Sequence, residues 1–134
     1  MRYIIFIFCL FLLVKPLFSE ESGKQLKNIN LSYATICEDV KDNNPKNPAV
    51  IFSISGGEVF CFSNFDSVSE KTVIYHIWYR NDKMSTKIKL TLQPPAWATF
   101  SSIQLREGDK GPWRVEIIDS ENNLLQVLRF SITD

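Results

Sequence analysis

The chain has 134 residues with 15 basic and 15 acidic side chains, so it carries no formal net charge. That length suits one small domain and excludes a large multidomain enzyme. The zero net charge and the absence of a Lys/Arg run argue against nucleic acid as the partner, since phosphate binding needs a concentrated basic surface, and 45% apolar with 13% aromatic residues suits a packed core, not a disordered chain.

Residues 1–19 read as a secretory signal peptide: Arg2 near the start, the apolar stretch Tyr3 to Val14, then Lys15-Pro16 and the small residue Ser19 before Glu20-Glu21. Twelve helical residues rise only about 18 Å, against about 30 Å for a bilayer core, so a stable membrane span is not expected once the segment is removed. The expected location is exported, periplasmic or extracellular. Loss of Arg2 and Lys15 leaves 13 basic and 15 acidic groups, a net charge of −2. Residues 20–30 are polar without a period and read as a flexible leader, which leaves residues 31–134 as the folded domain.

Cys37 and Cys61 remain after processing, an even number in an oxidising compartment, and are expected to pair as a disulfide. Closing a loop of about 25 residues would stabilise the fold by roughly 3.5 kcal/mol. Two buried free thiols are the alternative.

The rest of the domain reads as short β-runs. Strands are expected over Leu31 to Asp39, Val50 to Ile54, Glu58 to Phe65, Thr72 to Arg80, Met84 to Leu92, Trp97 to Gln104, Trp113 to Asp119 and Leu124 to Ile132. Asp42 to Pro48, with two prolines among Asn and Asp, reads as a loop. Ser55-Gly56-Gly57 is expected to turn the second strand back into the third. Arg80 to Lys83 and Ser120 to Asn123 read as hairpin connections. From Met84 to Leu92 the apolar positions alternate with Ser85, Lys87, Lys89 and Thr91, one face for a core and one for water. Thr72 to Arg80 is apolar on both faces, hence central or covered. Leu124, Leu128, Phe130 and Ile132 are expected to share the inward face of the last strand. Seven or eight strands at this spacing predict an all-β, antiparallel immunoglobulin-like sandwich, with a small barrel as the alternative.

A conventional reaction centre is missing from the sequence. His76 is the only histidine and sits mid-strand among bulky apolar residues, there is no phosphate-cradling glycine loop and no metal-ligand spacing, and the carboxylates are scattered singly. No catalytic residue, cofactor or metal is therefore expected. The residues best suited to contact a partner or ligand are Trp97, with the hydroxyls of Ser101 and Ser102, and the pair Lys87 and Lys89. Trp78 and Trp113, which sit in strong strand patterns, are expected to pack in the core.

From about Ala34 to Ile132 the order of features resembles a bacterial family, domain of unknown function 2914. The resemblance rests on Cys61-Phe62, His76-Ile77-Trp78, Trp97 with Phe100-Ser101-Ser102, Gly111-Pro112-Trp113-Arg114-Val115 with Asp119, and Leu125 before Phe130. It implies an exported or membrane-attached all-β domain of no established activity. Where that family tends to carry arginines around the central tryptophan, this sequence has Ala96 and Ala98, and Asn122-Asn123 stands where a glycine usually makes the last hairpin. The expectation is an exported, non-enzymatic binding or accessory module of the bacterial envelope that contacts a protein or glycan through an edge strand or a surface including Trp97. A purely structural accessory subunit and a small enzyme using His76 are the alternatives.

Overall fold

The computed structural model describes residues 28–134, so the expected signal peptide and most of the expected leader lie outside the described residues. The described residues are all-β, with nine strands in two sheets. These are β1 (Ile29–Lys41), β2 (Asn44–Pro48), β3 (Ile51–Ser53), β4 (Glu58–Val68), β5 (Thr72–Arg80), β6 (Lys83–Leu92), β7 (Trp97–Gln104), β8 (Gly111–Asp119) and β9 (Leu124–Thr133). The first sheet runs β2-β1-β4-β7 and the second β3-β9-β8-β5-β6. All pairings are antiparallel except the short parallel one between β3 and β9. The chain crosses repeatedly from one sheet to the other, which makes this the expected immunoglobulin-like sandwich with one more strand than the sequence suggests.

The extra strand is β2, inside the stretch that reads as a loop. Asp42 and Asn43 both take left-handed φ, at 52° and 56°, closing a tight hairpin onto β1. Pro45 and Pro48 are compatible with a strand here because β2 is an edge, where a missing N–H on the open side leaves no ladder bond broken. Asn81 and Asp82 make a matching turn, φ 47° and 62°, between β5 and β6, and Asn122 takes φ 65° before β9. The Ser55-Gly56-Gly57 segment differs from its expected hairpin. It forms a short 3-10 turn ending on Gly57 at φ 76° and carries the chain from β3 in the second sheet to β4 in the first.

Between the sheets lies one core. Val59, Cys61 and Phe65 of β4 face Ile74 and Trp78 of β5, Val115 and Ile117 of β8 and Phe130 and Ile132 of β9. Phe130 is its aromatic centre: it meets Trp78 and Phe52 edge-on, with centroids 6.0 and 5.9 Å away, and stacks on Trp113 at 6.1 Å. Trp78 and Trp113 are thus core residues. β5 is central, as its two apolar faces require, between β8 and β6. The expected face of β9 holds from Leu128 onward but not at its start. An irregularity between Ile117 and Ile118 shifts the register, so Leu124 is 57% exposed and Leu125 packs against the core in its place.

The expected disulfide is absent: Cys37 and Cys61 are both free, buried thiols. The register supplies the reason. Cys61 lies opposite Ile36, and Cys37 lies opposite Phe60. Directly opposed residues share a face and successive residues alternate, so Cys61 enters the core while Cys37 lies on the other side of the sheet. Side chains that leave the sheet in opposite directions cannot be bridged without moving the backbone.

Candidate functional site

The inward faces of β4, β5 and β7 carry a small polar network in the apolar core. His76 of β5 is fully buried and contacts both sheets: its Nε2 lies 2.8 Å from Ser63 Oγ on β4 and its Nδ1 lies 2.7 Å from Ser101 Oγ on β7. The Trp78 indole N–H donates to the same Ser101 oxygen at 3.1 Å. An indole N–H can only donate, so Ser101 accepts from Trp78 and keeps its hydroxyl hydrogen and a second lone pair for His76 Nδ1. The neutral imidazole carries one ring proton, so it donates to one of these two serines and accepts from the other. Both imidazole nitrogens and the Trp78 indole N–H are thus paired. Burial pulls the imidazole down to about 4, so it stays neutral, and burial pushes both thiols up, keeping them protonated and poorly nucleophilic. His76 has neither solvent access nor a carboxylate partner here, both of which the His76-enzyme alternative required. The network ties the two sheets together.

Three of the expected contact residues sit on β7, and alternation separates them. Trp97 opposes the core residue Phe65 and so lies on the inward side of the sheet, at the start of the strand, where it is 41% exposed. Ser101 points inward, 5% exposed and committed to His76 and Trp78, which corrects its reading as a surface contact. Ser102 points outward and donates to Glu58 Oε1 at 2.8 Å. Lys87 and Lys89 lie on the exposed face of β6, on the other sheet. The expected contact residues therefore fall on two different surfaces.

Those two surfaces differ in chemistry. The outer face of the first sheet carries an aromatic band across three strands. Tyr33 of β1 packs on Phe62 of β4 at 6.3 Å, Phe60 packs on Phe100 of β7 at 5.9 Å, and Phe62 lies opposite Phe100 in the ladder. Tyr33 is 46% and Phe100 42% exposed, so the sequence analysis missed two of the larger solvent-facing apolar groups. The available signal was Phe60-Cys61-Phe62, three consecutive apolar residues that put aromatic rings on the face opposite Cys61. The outer face of the second sheet is cationic. Lys87 Nζ lies 4.5 Å from the Tyr75 ring centre, the Arg114 guanidinium lies 4.0 Å from that of Tyr79, and Lys89 opposes Tyr75. Arg114 also pairs with Asp82.

The sheet edges differ as well. β2 carries two prolines and a lysine, β3 spans three residues, and β6 carries Lys83, Lys87 and Lys89. Strand β7, Trp-Ala-Thr-Phe-Ser-Ser-Ile-Gln, has no charge, no proline and an unbroken register on β4. Among the described residues it is the one sheet edge without a guarding feature.

A cleft of about 780 Å³, also missed, opens where the β1–β2 hairpin extends past the start of β4, lined by Glu38, Asp39, Lys46, Ser55, Glu58 and Phe60 among others. Its side chains largely satisfy one another: Asn47 donates to Glu38, Lys41 pairs with Asp39 and Ser102 bonds Glu58. Among the described residues no cluster of three or more His, Cys, Asp or Glu side chains is placed to hold a metal, and no helix is long and apolar enough to cross a membrane.

No curated protein matches the chain. Among solved structures, the crystal structure of the beta-D-glucoside glucohydrolase from Trichoderma reesei is similar at 13% identity and a TM-score of 0.42. The similarity covers 81% of this chain and 19% of that enzyme, so the chain spans about a fifth of its length. Residues 71–132, which include β5 to β8 and all of β9 except its last residue, carry the features His76-Ile77-Trp78, Trp97 and Gly111-Pro112-Trp113, while β1 to β4 precede them. Over residues 71–132 the chain matches the family described as Protein of unknown function (DUF2914).

Proposed function

We propose that this domain is an exported, non-enzymatic binding module of the bacterial envelope whose contact surface is the aromatic outer face of the first sheet. The observation that carries this reading is the uncharged aromatic band in which exposed Tyr33 and Phe100 and half-buried Phe60 lie around buried Phe62. Solvent-facing aromatic rings held rigidly on a sheet lose little side-chain freedom on binding and bury a large area each. A protein surface of that envelope is the favoured partner, since protein interface cores are rich in aromatic groups and poor in charge, as this band is. Export is supported by the three-part pattern of residues 1–19.

The test is crosslinking and capture from native envelope with the chain lacking residues 1–19. Wild type is expected to enrich one protein, lost in Phe100→Ala and Tyr33→Ala and kept when Lys87 and Lys89 are reversed to Glu. Loss only in the lysine variant would move the contact to the second sheet and overturn this reading. A glycan partner is favoured only by Trp97 itself: its fluorescence is then expected to shift with cell-wall fragments, and no shift in wild type rejects a glycan at that side chain.

A further inference from the structure

We infer that β7 is a self-association edge, through which two copies of this chain join their first sheets into one continuous eight-stranded sheet. This rests on the reading that the first sheet is the working surface, and it names a second copy as the occupant of its open edge. An open strand edge presents a row of unpaired N–H and C=O groups, and natural proteins protect such edges with charge, proline, bulges or shortness. Each of the other three edges carries one of these protections and β7 carries none over eight residues. Among the described residues its only ladder partner is β4, which leaves its other hydrogen-bonding side unpaired in the sheet.

The charge pattern favours a second copy. In an antiparallel pairing about a two-fold axis each residue meets another residue of the same strand, so any charged side chain near the axis meets its like. Strand β6 would bring lysines face to face in such a pairing. Strand β7 brings together only Ala98, Thr99, Phe100, Ser101 and Ser102, which are uncharged and compatible in either register centred on Phe100 or Ser101. The geometry also leaves the proposed contact surface open. The two-fold axis places the Phe60–Phe100 pairs of both copies side by side on one outer face, so that association doubles the aromatic band. Lys87 and Lys89, on the opposite outer face, stay clear of the junction.

Sedimentation equilibrium on the chain lacking residues 1–19 tests this. Wild type is expected to rise with concentration from the mass of one copy towards two, and Phe100→Lys is expected to stay at one copy with an unchanged circular-dichroism spectrum and melting curve. Lys87→Glu/Lys89→Glu is expected to associate like wild type. A wild type that stays at one copy throughout the micromolar to millimolar range overturns the inference, as does undiminished association in Phe100→Lys. Tyr33→Ala, on β1 away from this edge, separates the two readings. If it loses the envelope partner while wild type is monomeric, the binding surface stands and the self-association fails. If it keeps the partner while wild type dimerises, the reverse holds.

Discussion

Strands β6 and β7 are the long open edges of the two sheets, and they are built in opposite ways. β6 alternates: Ile88, Leu90 and Leu92 turn inward, and Lys87, Lys89 and Thr91 turn to water. Its attachment is apolar on the inner side, and its lysines keep other strands off. β7 has no clean alternation. Its inward side is fixed by the Ser101 hydroxyl, which joins His76 and Trp78 of the opposite sheet, and its outward side exposes Phe100 with no charge nearby on the strand. An edge held by specific hydrogen bonds can leave its outer surface apolar without losing its place, whereas an edge held by hydrophobic burial alone needs its polar face to mark which side is out.

That contrast can be broken from either side. Leu92, fully buried at the end of β6, is the largest lever: Leu92→Ala is expected to cost about 2–5 kcal/mol in chemical denaturation, the range for a buried leucine whose site collapses only partly. Acid is expected to act on the β7 side by a comparable amount. The imidazole of His76 is held at about 4 in the fold against an ordinary value near 6.5, so the unfolded chain takes up the proton first. The stability tied to the neutral ring is complete above about pH 6.5 and falls as the pH drops towards 4, by roughly 3 kcal/mol. Below 4 this group adds no further loss. Urea titrations across that range should show the slope, and His76→Gln should flatten it.

Ser101→Ala removes the acceptor for the Trp78 indole N–H and the partner of His76 Nδ1, leaving two buried polar atoms unpaired. A loss of about 2 kcal/mol or more is expected, while Ser102→Ala, which gives up one partly buried bond to Glu58, should cost about 1 kcal/mol or less. Equal effects of the two would contradict their assignment to opposite faces. The smallest expected change is at Lys87→Ala, whose exposed contact with the Tyr75 ring contributes about 0.5–1 kcal/mol at most.

The sequence made the sandwich legible wherever side chains alternate or where aromatic and β-branched residues crowd together. Thr72–Arg80 and Trp97–Gln104 begin and end where expected. What escaped depends on pairing between strands. β2 has no side-chain pattern of its own, and only its hairpin on β1 makes Asn44–Pro48 a strand. The cysteine count could not reveal that Cys37 and Cys61 leave opposite faces of the first sheet, because that follows from the Ile36 to Cys61 register. Leu124 and Leu125 exchange roles through a local register shift that leaves no mark in composition. At the candidate site, Trp97 was found as an exposed aromatic, but Ser101 and Ser102 read alike until the pleat separated them. Tyr33 and Phe100 became a surface only when β1, β4 and β7 were placed side by side.

Hydrogen exchange measured at low and high protein concentration is the most direct test of the contrast between the two edges. The account predicts that amides of Trp97–Gln104 gain protection as concentration rises while those of Lys83–Leu92 do not change. Protection gained on β6, or on neither strand, would contradict it.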